Sequence, residues 1–382
     1  MNHSKLLHIG FDAKRIVRNK TGLGNYSRTL VKNLLHTQDL DLDIRLYAPN
    51  AGNEELRNQI PAQPCVRYVY PTGKKHPLAQ AWWRFTGIVN DLKRDHIDLY
   101  HGLSNELPRG IKASGVTSIV TIHDLIFLRF PKYYHWWDVL IYRYKFRMTC
   151  REATHIIAIS ECTKRDIVKY GHVSPDKITV IYQDCDEVFK RPCTERQLQE
   201  VREKYHLPTR FILNVGSIEE RKNVLLAVKA LKDMPTDIHL VVVGKSTPYT
   251  EKVKNYIAQH HLQSRITLLH HVPFADLPAI YQLAECFVYP SRYEGFGIPI
   301  IEAIHSGLPV VACTGSCLEE AGGADCLYVH PDDVQAMREV LLTLLNDTDR
   351  NGRIARAKAY VQRFDTENVT RQLINLYKKC ME

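Results

Sequence analysis

The sequence predicts an α/β protein built from two doubly wound, Rossmann-like domains, and three observations carry that expectation. Short apolar runs of strand length alternate with amphipathic segments of helical period from end to end, the pattern of stacked β-α-β units. At 382 residues the chain exceeds the usual size of one hydrophobic core. A polar, proline-containing stretch from Asp184 to Pro208 separates two such series.

In the first series, strands are expected at Leu6 to Gly10, Ile44 to Tyr47, Ile97 to His101, Ser118 to Ile122, Ile156 to Ile159 and Ile178 to Tyr182. In the second they are expected at Phe211 to Val215, Leu240 to Val243, Ile266 to Leu269, Cys286 to Tyr289 and Val310 to Ala312. The expected domains span residues 1–190 and 208–363, joined by a hinge at 191–207 and facing each other across a cleft. A closing segment, 364–382, contains a helix from Asn368 to Lys379. Its Val369, Leu373, Leu376 and Tyr377 fall at i, i+4, i+7 and i+8 and make one apolar stripe.

Composition narrows the class. With 45% hydrophobic and 24% charged residues the chain is globular rather than disordered. The N-terminal apolar run ending at Gly10 is too short for a signal peptide or a membrane span, so a cytosolic location is expected. Ten cysteines without a Cys-x-x-Cys pair read as reduced, mostly buried thiols. Residues 1–190 carry 28 Lys and Arg against 19 Asp and Glu, whereas residues 191–382 carry 23 of each, so the whole positive excess lies in the first half.

One segment carries the chemistry. Ser291 to Pro309 follows an expected strand and holds its own helix signals, with Pro299 at the first helical position and Gly307 just past the end. Gly295 and Gly297 let the backbone approach a ligand, and the N–H groups at the helix start suit a diphosphate. Glu302, in the first turns, has two oxygens to accept both hydroxyls of a ribose, and Glu294 sits in the loop nearer a sugar. The competing account makes both glutamates surface charges around a glycine-rich turn. At the end of the second domain's first strand, Gly216 is followed by Arg221 and Lys222, adjacent cations that suit a leaving diphosphate. Gly22 and Gly24 open a helix after the very first strand, and His123-Asp124 ends another strand.

Glu294 to Glu302, with its Glu-Gly-Phe-Gly opening and Ser-Gly-Leu-Pro-Val-Val continuation, resembles the E-x7-E motif of family 4 glycosyltransferases. The likeness spans most of the chain and implies the two-domain GT-B fold, with the donor on the C-terminal side and the acceptor on the N-terminal side. It places Lys222 at the clamp lysine and implies donor contacts for Gly22, Gly24, Gly216, Gly295, Phe296, Gly297, Ile298 and Glu302. Catalytic roles fall to His123, facing the transferred sugar, and to Glu294, Arg221 and Lys222. One position departs: many relatives carry arginine directly after the glycine, and here it is Ser217, with Arg221 as the substitute. Ser160 matches an acceptor-side serine of the family but reads better as the cap of a helix from Glu161 to Tyr170.

What the resemblance implies is hexose transfer with retention, from a nucleotide-diphosphate sugar to a saccharide or lipid-pyrophosphate-linked acceptor, in cell-surface polysaccharide assembly. The stretch from His123 to Pro131 is similar to that of mannosyltransferases using GDP-mannose. Neither a metal nor a cofactor is expected, nor a nucleic-acid partner. Two other readings stay open: a nucleotide-sugar 2-epimerase of the same layout, and a non-catalytic nucleotide-sugar-binding scaffold.

Three features imitate sites. Asp39-Leu-Asp41-Leu-Asp43 looks like a metal-binding Asp-x-Asp but reads as a solvated turn and strand edge. Gly244-Lys245-Ser246 lacks the first glycine of a P-loop, its position being His239. His260-His261 and His270-His271 lack companions at zinc-ligand spacing. Finally, Tyr133 to Arg147 interleaves aromatics with cations. Either it makes peripheral contact with an anionic membrane, or Trp136, Trp137 and Tyr142 pack into the first domain's core.

Overall fold

The computed structural model describes residues 6–37, 41–73 and 76–382, which form two units. The first is Met1–Gln183 together with Thr366–Glu382; the second is Asp184–Asp365. Residues 191–207, expected as a hinge, lie within the second unit and are mostly the helix Glu195–Lys204. Thr194 and Gln197 close that helix with a reciprocal capping box.

The first unit is a seven-stranded parallel sheet of β1 (Leu7–Asp12), β2 (Leu42–Tyr47), β3 (Val66–Val69), β4 (Leu99–Gly102), β5 (Thr117–Ile122), β6 (His155–Ala158) and β7 (Ile178–Val180). Their order is β3-β2-β1-β4-β5-β6-β7. Five of the six residues of β5 are buried, as expected of a strand covered on both faces. On one face Ile9, Phe11 and Ile119 pack with Val31 and Leu34 of the helix Gly22–Leu35. On the other, Tyr100, Val120 and Ile122 pack with Leu92 and with Phe146 and Cys150 of the helix Trp136–Glu152.

The chain lays β1 to β3 outward to one side and β4 to β7 to the other. The direction therefore switches between neighbours β1 and β4, and the crevice beyond their carboxyl ends is where such sheets bind ligands. The closing helix, Thr366–Met381, belongs to this unit. Its Leu373, Leu376 and Tyr377 join the Ile9 and Phe11 core, with Val369 packed at the edge, and the Tyr377 hydroxyl meets His101 Nδ1 at 2.6 Å.

The second unit repeats the plan with six parallel strands: β8 (Phe211–Val215), β9 (His239–Val243), β10 (Ile266–Leu269), β11 (Cys286–Tyr289), β12 (Val310–Cys313) and β13 (Leu327–Val329). Their order, β10-β9-β8-β11-β12-β13, puts the switch between β8 and β11. Two strands were absent from the sequence expectation, β3 and β13, and both are edges. Edge strands are short and half-exposed: Val66-Arg-Tyr-Val is interrupted by Arg67, and Leu327-Tyr-Val is only three residues long, too short to mark a strand.

The imitation sites resolve into structure. Asp39 lies outside the described residues, while Asp43 is part of β2 and accepts from His8 Nδ1 at 2.9 Å and Arg45 Nη2 at 3.1 Å. Gly244 is a glycine because a Cβ there would lie 1.8 Å from the Gly216 carbonyl oxygen. Seven of the ten cysteines are buried, and none is in a disulfide. Ser160 Oγ accepts from Thr163 N–H at 2.9 Å, capping the helix Glu161–Gly171.

Candidate functional site

The second unit's site grows from the carboxyl ends of its two switch strands. Beyond β8 the chain passes Gly216, at φ +154°, and makes a short turn, Glu220–Lys222, that ends on Asn223 at φ +56°. Beyond β11 it enters the Ser291–Gly297 loop. Asn223 Nδ2 donates to Pro290 O at 3.1 Å and to Pro331 O at 2.8 Å. Arg292 N–H donates to Arg221 O at 2.9 Å, and Arg221 Nη1 donates to Tyr293 O at 2.6 Å. The two loops are thus tied by one backbone bond and by side-chain bonds to backbone carbonyls.

That tie brings three sequence candidates into one cluster. Glu294 Oε1 lies 2.7 Å from Lys222 Nζ, and its Oε2 lies 2.8 Å from Arg221 Nη1. Tyr289, the last residue of β11, donates its hydroxyl to Glu294 Oε1 at 3.2 Å and accepts from Lys222 Nζ at 2.7 Å. Burial by itself would push the Glu294 carboxyl up, but Lys222 and then Arg221 outweigh it and hold the group down at about 2. Lys222 is correspondingly raised: burial works against its charge, and Glu294 more than compensates. Tyr289 is pushed up to about 12 by burial and then by the Glu294 charge.

Arg221 is the most committed of the three. Besides Glu294 and Tyr293 O it donates to Glu219 at 3.0 Å, and Ser217 Oγ donates to the same Glu219 oxygen at 2.9 Å. Ser217 therefore serves the turn that holds Arg221. Lys222 has three N–H donors and spends two, on Glu294 and Tyr289, so one direction is left for an incoming oxygen.

The loop then turns into the helix Ile298–His305, with Gly297 as its cap at φ +153° and Pro299 at the second helical position rather than the first. Proline has no N–H, and Ile300 N–H is spent on Gly297 O, so Ile298 N–H is the donor at this helix start. A Cβ on Gly297 would also press on Ala321 Cβ at 3.1 Å. Cys317 Sγ donates to Phe296 O at 2.5 Å and to Glu294 O at 3.1 Å, which fixes the Gly295 turn from beneath. Phe296 is buried against Phe364 with ring centroids 5.2 Å apart.

Glu302 stands apart from this cluster. Its Oε2 accepts from the Tyr281 hydroxyl at 2.8 Å, and burial raises its carboxyl to about 7, against the lowering effect of that bond. Oε1 is the oxygen not engaged by Tyr281. Among the described residues, Asp184, Cys185 and His305 offer metal-ligand atoms within 4.8 Å of one another. Lys190 Nζ already lies 2.6 Å from Asp184 Oδ2, so an ammonium supplies the positive charge there.

In the first unit, the helix Gly22–Leu35 and His123 meet through Tyr26, whose ring stands edge-on to the imidazole at 4.7 Å. Gly24 is required by packing, since a Cβ would lie 1.9 Å from Asn19 O, whereas Gly22 has open space around its Cα. His123 Nε2 lies 2.9 Å from Leu103 O. A carbonyl only accepts, so Nε2 carries the proton and Nδ1 accepts from Gln183 Nε2 at 3.3 Å. Burial lowers its pKa to about 4, and the ring is neutral. Tyr289, Cys317 and Gln183 were not singled out in the sequence. A hydrogen-bonding aromatic as the last residue of a switch strand was the available signal for Tyr289.

Comparison with known proteins agrees with this layout. The family model described as Glycosyltransferase Family 4 matches residues 21–184, and the one described as Glycosyl transferases group 1 matches residues 197–360. O-antigen chain mannosyltransferase B of Escherichia coli is 28% identical over 381 residues, covering 94% of this chain and 96% of its own. O-antigen chain mannosyltransferase RfbU of Salmonella typhimurium is 28% identical over 256 residues, covering 67% of this chain and 68% of its own. A glycosyltransferase from Rickettsia africae has the same fold, with a TM-score of 0.77 at 19% identity over 99% of each chain. Two matched glycosyltransferase models, one on each sheet, and mannosyltransferase relatives, one of them matched nearly end to end, place this chain among the GT-B glycosyltransferases of family 4, on their mannosyltransferase-like side.

Proposed function

We propose that the protein transfers a hexose, mannose from GDP-mannose being the favoured donor, with retention of configuration, to a saccharide or lipid-linked saccharide in cell-surface polysaccharide assembly. The carrying observation is the Arg221, Lys222 and Glu294 cluster at the β8/β11 switch. Two half-buried cations held by one carboxylate form a preorganised counter-charge, which stabilises the negative charge that grows on a departing diphosphate. Lys222 meets a diphosphate oxygen, Ile298 N–H assists, and Glu294 orients both cations while its loop borders the sugar. Glu302 offers Oε1 to the ribose. Mannose is supported by the names of the relatives, both O-antigen mannosyltransferases.

The lipid-linked acceptor has its own support. No described helix is long and apolar enough to cross a membrane. Yet Trp136 and Trp137 are 59% and 62% exposed, so they do not enter the core as one sequence reading had them, and Arg143 and Arg147 are exposed beside them. Aromatics at headgroup depth with basic neighbours suit an anionic bilayer surface. The test of the donor is thermal stabilisation by GDP, UDP and their sugars. A ligand at about 100 Kd adds about 2.7 kcal/mol. Stabilisation by GDP-mannose above UDP sugars is the expected result, and a preference for a UDP sugar refutes the mannose assignment.

A further inference from the structure

The switch point of the first unit holds a cavity that the donor chemistry does not use. It measures about 200 Å³ and lies where Asp12 ends β1, with Tyr100 of β4 as one wall. Its charges do not balance: Lys14, Arg18, Arg84 and Lys145 face Asp12 and Glu106. Arg84 sits on a one-turn π-helix, Trp83–Gly87, a distortion that recurs at functional sites. Its guanidinium forks onto Asp12, with Nη2 2.7 Å from Oδ2 and Nε 3.2 Å from Oδ1, and its Nη1 lies 2.5 Å from Glu106. Lys145 Nζ takes the other Glu106 oxygen at 3.0 Å.

Two carboxylates thus neutralise two of the four cations. Arg18 donates only to neutral amides, Asn50 Oδ1 at 3.3 Å and Gln80 Oε1 at 3.5 Å. The Lys14 ammonium has no ion pair or hydrogen bond among the described residues. Burial first, and the Arg84 charge second, lower its pKa, a cost that an arriving anion reverses. A surplus of two positive charges at a sheet's switch point is matched by a dianionic group.

The surroundings are apolar. Lys145 and Met148 line the cavity from the helix Trp136–Glu152, on which Trp137, Leu140, Ile141 and Tyr144 recur at i, i+3, i+4 and i+7 and are 62%, 52%, 53% and 57% exposed. Gln80 and Ala81 line it from the helix Pro77–Trp82, whose Leu78 and Trp82 are 74% and 63% exposed. Ile141 stands one turn from Lys145, and Leu78 one turn from Ala81, so both apolar stripes run to the cavity wall. Large exposed apolar patches of this kind mark a binding surface.

We propose that this cavity seats the diphosphate head of a polyprenyl-linked acceptor, with Lys14 and Arg18 meeting the phosphates, while the two apolar helices rest on the bilayer that carries the polyprenyl chain. This rests on the lipid-linked acceptor of the proposed function. Arg84 is a positioning residue, because every donor direction it uses is spent on Asp12 and Glu106.

The experiment measures binding of farnesyl diphosphate and of inorganic diphosphate by titration calorimetry, in the wild type and in a Lys222→Ala background that silences the nucleotide clamp. Charge-assisted bonds to phosphate predict about tenfold or greater weakening of farnesyl diphosphate in Lys14→Ala with Arg18→Ala. Lys14→Arg, which keeps the charge, is expected within about threefold of wild type. Both positions reach the surface, so these variants fold, and circular dichroism checks it. Inorganic diphosphate is expected to bind about tenfold more weakly, lacking the apolar contact. Affinity unchanged in the double variant overturns the cavity assignment. Equal affinity for the two diphosphates, both dependent on Lys14, makes it a site for free phosphate and overturns the lipid. The donor reading fails separately: if no nucleotide sugar stabilises the chain while farnesyl diphosphate still needs Lys14, the transferase proposal falls and the cavity stands.

Discussion

Removing the Lys222 ammonium tests the clamp and the carboxylate that organises it in one step. In Lys222→Ala, Glu294 loses the cation at 2.7 Å and keeps Arg221 at 2.8 Å. Breaking a buried ion pair outright costs about 3–5 kcal/mol, so with one cation retained the expected loss is about 2–3 kcal/mol. For a unit of this size that lowers Tm by about 4–12 °C. The Glu294 carboxyl, held at about 2 chiefly by Lys222 against burial, rises. Transfer falls by about 10²–10³, as when any preorganised donor to a developing charge is removed. Nucleoside-diphosphate affinity falls by about tenfold or more, one charge-assisted bond being worth roughly 1.5–3 kcal/mol. Lys222→Met with Glu294→Gln leaves no buried charge unpaired at this point, so it recovers most of the stability without recovering transfer. Calorimetry and a donor-turnover assay read both quantities. If Lys222→Ala lost stability yet kept wild-type affinity and turnover, Lys222 would be only a counter-ion for Glu294 and the clamp argument would be wrong.

Four further outcomes are expected. The Glu302 carboxyl is raised to about 7 by burial, above an unfolded value of roughly 4.3, so its stabilising contribution is full below that value and is lost as pH climbs to about 7. Glu302→Gln flattens this part of the unfolding free energy against pH curve by on the order of 3 kcal/mol, and an unaltered curve contradicts the burial argument. Transfer persists in excess EDTA, since the diphosphate charge is met by Lys222 and Arg221; activity lost to EDTA and restored by Mg²⁺ or Mn²⁺ refutes it. Leu373→Ala, 3% exposed in the closing helix, costs about 2–5 kcal/mol by urea unfolding, and a cost near zero shows that the helix is not part of the core. The chain floats with anionic but not neutral liposomes, sensitive to salt and reduced by Arg143→Glu with Arg147→Glu; absence of flotation with either favours a soluble acceptor.

The sequence by itself determined the class and made the Glu294 to Glu302 segment legible as a candidate. Central parallel strands are buried on both faces, so Phe211–Val215 or Cys286–Tyr289 must be continuously apolar and can be read directly. The glycine and glutamate pattern from Glu294 to Glu302 is local, because one strand–loop–helix turn contains it whole. Val66–Val69 is broken by an arginine and Leu327–Val329 is only three residues long, which is why these two edge strands appear only in the fold. What tertiary structure alone decided is partnership. Glu294 was legible as a loop carboxylate, but its grip on Arg221 and Lys222, and the mediation of Tyr289, depend on β8 and β11 being neighbours although about seventy residues separate them. His123 was legible as a strand-end histidine, yet the bonds to Leu103 and Gln183 that fix its tautomer come from loops after other strands, and the burial that keeps it neutral comes from the packed fold. The Lys14 and Arg18 cavity gathers residues from the ends of β1 and β4, a π-turn and three helices, and no spacing in the chain announces it. Charge imbalance is a property of a place, and only folding creates the place.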